Sequence, residues 1–433
     1  MFRRDFIQRL TLTSVSVAAG VVSTHGRAPL PVSPRTARVE PLPQVALGID
    51  VLAGEKFARL HGLRVGLVTH PAGVNARGEK TIDVLRHASG VRLVKLYGPE
   101  HGIYGDAPAN APVQNALDRR TGLPVFSLYG KTRRPTPEML EGLDVMLVDL
   151  QDIGSRSYTY VSCMRHVLEA CFDAGVKVII LDRPNPLGGL KVDGPGLDKK
   201  WMSYVGFFQV PYVHGLTIGE LALAATRTPG WLNLSDAGRK GGQLEVIKMR
   251  GWHRSMRWRD TGLRWIGTSP MIPQVEAAEG YAMTGLGCQA GGFTHGTLTQ
   301  YPFRFLQFPG KRASEVEQAL RTCGVRGLGL SSKRLRDGTE GVYLSITDWS
   351  ALCPTEISFH MMQLACRWNA QNPFIGLTNT QEDLFKKQTG SEAFLRDLQK
   401  YGASANIGAW LARWNREAQA FQEWARRFWI YRS

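Results

Sequence analysis

The sequence predicts an α/β protein: a Rossmann-like, doubly wound parallel sheet with a second, smaller mixed α+β domain at the C-terminal end. Two observations carry that expectation. Short continuous apolar runs recur at Arg64–Val68, Arg92–Leu96, Pro124–Leu128, Asp144–Val148 and Lys177–Leu181, the pattern of strands buried on both faces of a parallel sheet. Between the last two runs the period changes. Tyr160, Cys163, Met164, Val167, Leu168 and Cys171 recur at helical spacing, with Gly175 placed to end the helix.

The elements follow in order. Arg3-Arg4-Asp5-Phe6-Ile7 precedes a weakly apolar stretch from Leu10 to Val22. That stretch is too short and too polar to span a membrane but suits an export signal, so residues 1–24 are expected to be a twin-arginine-type signal peptide. The destination would then be the periplasm or beyond. Pro29, Pro31, Pro34, Pro41 and Pro43 make residues 25–44 an extended linker. The Rossmann-like domain is expected over residues 45–238, with its boundary in the polar, glycine-rich stretch Asp236–Gln243. Residues 239–433 form the second domain and end in helices; Trp410, Trp414, Ala418, Phe421 and Ala425 mark one face of the last.

Composition narrows the function. At 433 residues with 43% hydrophobic content, the chain is long enough for two domains with a sizeable core. The 53 Lys+Arg against 37 Asp+Glu leave a formal charge of +16, which favours acidic partners such as wall polymers, anionic membrane surfaces or nucleic acid. No zinc-finger spacing, RNA-binding aromatic signature or dense Lys/Arg tract supports nucleic acid. No GxGxxG follows a strand, so neither a dinucleotide nor any other cofactor is expected. Cys163 and Cys171 lie eight residues apart on one helix, about 12 Å, too far to bridge. Cys288, Cys323, Cys353 and Cys366 show no CxxC spacing, so free thiols and no metal site are expected.

Ligands of open parallel sheets bind at the carboxyl ends of the strands, and the polar clusters of this sequence sit there. They are Gly98-Pro99-Glu100-His101-Gly102 after the second strand, the run from Asp149 to Tyr160 after the fourth, Asp182-Arg183-Pro184-Asn185-Pro186-Leu187-Gly188-Gly189 after the fifth, and His214 to Glu220 beyond. Each joins ionisable groups to glycine or proline, which fix the local backbone. Asp149 or Asp152 equally suits capping of the helix that follows.

These four segments, with Leu123 to Gly130 and Arg133, Pro135, Thr136, Glu138, Met139 and Leu140, resemble the exo-β-N-acetylmuramidase family. The likeness runs from about Gly48 to Glu220. It resumes at Trp265, Ser269-Pro270 and Ile272-Pro273, then at Lys387 and Thr389-Gly390-Ser391. The resemblance implies a Rossmann-like catalytic domain, a smaller C-terminal domain and a site in the cleft between them. The implied reaction removes terminal N-acetylmuramic acid from the non-reducing end of peptidoglycan fragments.

Such chemistry needs an acid beside the glycosidic oxygen and a second group facing the anomeric carbon. Glu100, wedged between Pro99 and His101, is the expected acid; Asp149 or Asp152 is its partner, with Glu220 in reserve. Arg156 and Arg183 are candidates to fork onto the lactyl carboxylate of muramic acid. Tyr158 or Tyr160 would stack on the sugar, although Tyr160 equally suits the core. His101 and His214 would orient carboxylates or bind hydroxyls, and Asp182 and Asn185 complete the expected substrate-binding set. Two departures from the family pattern stand out. Ala109-Asn110-Ala111 replaces Ala-Gly-Glu, and no carboxylate occurs from Gly280 to Ser314, where the family carries acids. A second reading rests on them: a wall-sugar-binding relative with altered specificity or without catalysis.

Overall fold

Apolar strands are stable in a sheet only when both faces are covered, and the first half of the chain folds to satisfy that demand. The computed structural model describes residues 45–105 and 115–433. The expected signal peptide and linker lie outside the described residues, as does Ala109-Asn110-Ala111. The strands β1 (Arg64–Thr69), β2 (Arg92–Gly98), β3 (Ala116–Leu117), β4 (Pro124–Ser127), β5 (Val145–Asp149), β6 (Lys177–Leu181) and β7 (Leu244–Ile247) form one sheet, ordered β3-β4-β2-β1-β5-β6-β7. Every neighbouring pair is parallel except β3–β4. From β1 the chain moves outward to β2 and β4, then returns to β5 and moves the other way. The strand order therefore reverses between β1 and β5, the switch point at which such sheets bind ligands.

Alternate residues of each strand feed two cores. Val68, Met146, Val148, Val178 and Ile180 pack with α4 (Tyr160–Asp173) and α5 (Ile218–Arg227). Val65, Leu67, Leu147, Ile179 and Leu181 face the other way, toward α1 (Gly48–Gly54) and α2 (Thr81–Arg86). The short helices α3 (Pro137–Leu140) and α6 (Asp236–Gly241) lie on the α4/α5 side. The doubly wound arrangement is thus as expected, but the sheet runs past the boundary placed at Asp236–Gln243. That stretch is largely α6, N-capped by Ser235, and the edge strand β7 follows it. Edge position explains the faint signal: Glu245 interrupts β7 and carries ion pairs to Lys177 and Arg59.

The rest of the chain contains α7 (Val275–Thr284), β8 (Phe305–Leu306), α8 (Ala313–Thr322), β9 (Leu328–Arg334), β10 (Glu340–Ile346), α9 (Glu356–Trp368), α10 (Asn379–Thr389), α11 (Glu392–Tyr401) and α12 (Ile407–Ala425). The three strands form a small antiparallel sheet ordered β8-β10-β9, covered by α8 and α9. Trp414 of α12 packs on Phe359 and Phe394, with ring centroids 4.4 and 5.1 Å apart. Beyond α12 the chain returns to the large sheet: Arg254 N donates to the Arg432 carbonyl at 2.8 Å, and Met249 N donates to the Tyr431 hydroxyl at 3.0 Å. All six cysteines are free, Cys163 and Cys171 buried and the other four half-buried. Among the described residues no helix is long and apolar enough to cross a membrane.

Candidate active site

The switch point is built from strand ends. β1 runs into His70, whose Nε2 accepts from the backbone N–H of Gln151 just past β5, at 2.9 Å. Burial holds His70 well below the ordinary imidazole range, so it is neutral and acts as an acceptor. Its ring meets the edge of Tyr160 at 4.8 Å.

Next to it, β2 ends in the turn that carries Glu100. Gly102 N closes this turn onto the Pro99 carbonyl at 2.9 Å, and His101 (φ 71°) and Gly102 (φ 75°) are both left-handed. A left-handed histidine is costly by roughly 1 kcal/mol or more, and such strain collects where a side chain must be aimed. The Glu100 carboxylate accepts from the Thr159 hydroxyl at 2.9 Å, at the start of α4. The Tyr129 hydroxyl, beyond β4, also bonds to it; burial and this carboxylate push Tyr129 up to about 12.

The second polar group is a pair. Asp152 Oδ2 accepts from Gly154 N at 2.8 Å and lies 3.3 Å from His214 Nε2, off the line of a good hydrogen bond. His214 Nδ1 accepts from Leu216 N at 3.2 Å, which assigns the ring proton to Nε2, on the Asp152 side. Asp152 Oδ1 has no hydrogen-bond partner among the described residues. From α7, the Tyr281 hydroxyl meets Ser157 Oγ at 2.9 Å. Burial raises the Tyr281 pKa, and the charges of Glu100 and Asp152 add to that rise.

Sequence comparison fits this arrangement to a known group. The N-terminal and C-terminal models of the exo-beta-N-acetylmuramidase NamZ family match residues 65–276 and 280–431. The peptidoglycan beta-N-acetylmuramidase NamZ of Bacillus subtilis (strain 168) is 38% identical over 314 residues, 71% of this chain and 73% of that protein. The chain belongs to the NamZ family. A DUF1343 family protein of Bacteroides fragilis superposes with a TM-score of 0.81 at 35% identity, covering 90% of this chain and 99% of that one. A second DUF1343 protein of that organism, 23% identical with a TM-score of 0.67 and the same coverage, shares the fold. The two NamZ segments meet inside α7, the helix that bears Tyr281, and β7 falls with the N-terminal one.

Within the NamZ framework, several residues expected to touch substrate are turned inward. Asp149 and Arg183 form a buried bidentate pair at 2.5 and 3.0 Å; Asp149 also accepts from the Thr81 hydroxyl, and Arg183 donates to the Val74 carbonyl at 2.6 Å. Arg156 is 1% exposed and donates to the carbonyls of Pro195, Val210 and Gln388 at 2.6–2.8 Å, while burial pulls it down to about 10. Gly390 makes that seat possible: a Cβ there would lie 2.3 Å from the Gly196 carbonyl and 2.9 Å from Arg156 Nη2. Both guanidinia are buried and bonded to backbone carbonyls or a carboxylate from distant loops.

The same holds for the polar residues behind them. Asp182 accepts from Gly219 N, the Thr217 hydroxyl and the Tyr431 hydroxyl at 2.9, 2.8 and 2.6 Å, and burial lifts its carboxyl to about 6. Glu220 caps α5 through Thr217 N at 3.0 Å and pairs with buried Arg254. Asn185 ties its own loop to the next through the Leu216 carbonyl at 3.0 Å. The hydroxyls of Tyr158 and Tyr160 are bonded to Thr268, at 2.8 and 2.7 Å, so Tyr160 serves the core. His101 is buried in the Glu100 turn.

The structure therefore places Glu100, Asp152 and His214 at this edge, and adds His70, Tyr129, Ser157 and Tyr281. His70 carries the signal used for the other clusters, an ionisable group at a strand end beside Pro71 and Gly73. Tyr281 lies on a helix far along the chain and carries none. Among the described residues no three His, Cys, Asp or Glu side chains gather as a metal site requires.

Proposed function

We propose that this chain is an exo-acting glycosidase that releases terminal N-acetylmuramic acid from peptidoglycan fragments, with Glu100 as the acid. One observation carries the reading. Glu100 is half-buried on a strained turn at the ligand edge of the sheet, held by the Thr159 hydroxyl, and Asp152 follows β5 at the same edge with one carboxylate oxygen uncommitted. Glu100 would give its proton to the glycosidic oxygen as the C–O bond breaks. Asp152, with Oδ2 held by Gly154 N and Oδ1 uncommitted, would face the anomeric side and accept a proton from the incoming water or stabilise the cationic carbon. The chemistry of the Bacillus relative supports the substrate class. Arg3-Arg4 and the Leu10–Val22 stretch support export by the twin-arginine route, which would bring the protein to its polymer.

Activity on a chromogenic β-N-acetylmuramide, beside the β-N-acetylglucosaminide, tests the reading. Glu100→Gln is expected to lower turnover by roughly 10²-fold or more while leaving binding intact, with good leaving groups hurt least. A second reading, a sugar-binding relative without turnover, is favoured by the absence of any carboxylate from Gly280 to Ser314. Binding of the sugars without hydrolysis of either chromogen would decide for it.

A further inference from the structure

Muramic acid differs from the neutral amino sugars by a carboxylate, and the two arginines expected to bind it are both consumed inside the fold. Another cation is available close by, over the ring of Tyr129, whose hydroxyl bonds to Glu100. Arg133 lies between β4 and α3, in the segment that joins the family resemblance but has no part in the chemistry above. Its guanidinium is laid over two tyrosine rings, 4.3 Å from the centroid of Tyr204 and 5.6 Å from that of Tyr129. It is exposed, and among the described residues no hydrogen bond or ion pair occupies it. The next residue, Arg134, is by contrast paired with Asp173.

Two further features point to a ligand. Tyr204 is 7% exposed, and its buried hydroxyl has no hydrogen-bond partner among the described residues. Its ring is held by His166, stacked at 6.1 Å, and by Phe207, edge-on at 6.2 Å, so the hydroxyl is pre-positioned. Moreover, Tyr129 and Tyr204 both lie in the fields of the Glu100 carboxylate and the Arg133 guanidinium. Tyr129, bonded to Glu100 through its hydroxyl and covered by Arg133 on its face, connects the cation to the acid.

We propose that Arg133, supported on Tyr204 and Tyr129, binds the carboxylate of the acidic sugar whose glycosidic oxygen lies at Glu100. A guanidinium stacked on aromatic faces keeps its planar donor fork free, the geometry that a carboxylate takes up in bidentate fashion. The Tyr204 hydroxyl supplies a further donor. The identity of the sugar rests on the glycosidase reading above; recognition of the carboxylate is separable from turnover.

The test is therefore a binding measurement. N-acetylmuramic acid, its lactyl carboxamide and N-acetylglucosamine are titrated calorimetrically against the wild-type protein and the variants Arg133→Ala, Arg133→Lys and Tyr204→Phe, with Arg134→Ala as control. The wild type is expected to prefer the acid over the amide by about tenfold or more. Arg133→Ala should abolish that preference, Arg133→Lys should restore only part of it, and Tyr204→Phe should weaken acid binding a few-fold. Arg134→Ala should leave it alone. Because Arg133 is exposed, its variants should melt with the wild type. An acid-over-amide preference that survives Arg133→Ala overturns the proposal, and so does a wild type without one. Failure of both chromogens to be hydrolysed would touch the glycosidase reading and leave this result legible.

Discussion

Replacing Arg183 by Met is expected to damage stability and spare the ligand. Asp149 and Arg183 are 0% and 3% exposed, and the pair links the end of β5 to the loop after β6. Methionine fills much of the space of the arginine stem but removes the cation. Asp149 then keeps the Thr81 hydroxyl as its side-chain partner, and the Val74 carbonyl loses its donor. Removing one member of a buried ion pair costs about 3–5 kcal/mol, because the other charge stays desolvated. Unfolding entropy is about 2.1 cal/mol/K per residue, which over the unit Leu42–Ser433 amounts to roughly 0.8 kcal/mol/K. The melting midpoint should therefore fall by about 4–6 °C. The double variant Asp149→Leu/Arg183→Met, which buries no charge, should recover most of the loss. Thermal melts by circular dichroism, with calorimetric titration of N-acetylmuramic acid below the transition, give both readouts. A variant that melts like the wild type but binds the sugar tenfold more weakly would return Arg183 to the ligand and refute the reasoning.

Three further expectations follow, two from the same network and one from the proposed export signal. Burial raises the Asp182 carboxyl from 3.8 to about 6, so its contribution to stability is intact below about pH 4 and lost as pH rises through about 6. Denaturant melts of wild type and Asp182→Asn should diverge across that window, the wild type losing ground as pH rises; a constant difference would contradict the assignment. Tyr431→Phe removes the hydroxyl shared by Asp182 and Met249 N and should cost about 1–3 kcal/mol; a loss below half a kilocalorie would mean that water replaces it. Changing Arg3 and Arg4 together to Lys should hold the precursor in the cytoplasm, and unchanged export in a fractionation assay would exclude the twin-arginine route.

The fold was legible where a residue's own neighbours in sequence carry the signal. Val145 to Val148 are apolar without a break because both sheet faces are covered, and the change to helical spacing after Thr159 reports that α4 lies on one of them. Leu244–Ile247 was not legible: an edge strand of four residues with a paired glutamate has no such pattern. The site divided along a similar line. The strand-end clusters do lie at the carboxyl edge of the sheet, with Glu100 after β2 and Asp152 after β5. What the residue types concealed was direction. Arg183 and Arg156 look like ligand forks until their partners are known, and those partners lie as far off as Val74 and Gln388. Tyr204 and Tyr281 escaped for the complementary reason, since an isolated tyrosine announces neither its burial nor the state of its hydroxyl.

The return of the chain after α12 has a consequence for the order in which the protein is made. Met249 leaves the ribosome 182 residues before the tyrosine that accepts its N–H. Through that interval Asp182 lacks one of its three donors, and Glu220 lacks the Ile430 N–H that meets it at 3.1 Å. Until that segment is in place, the buried acids Asp182 and Glu220 each lack a donor. A chain cut short just after Ala425 would carry Glu100, Asp152 and Arg133 in full, yet would leave open the latch behind them.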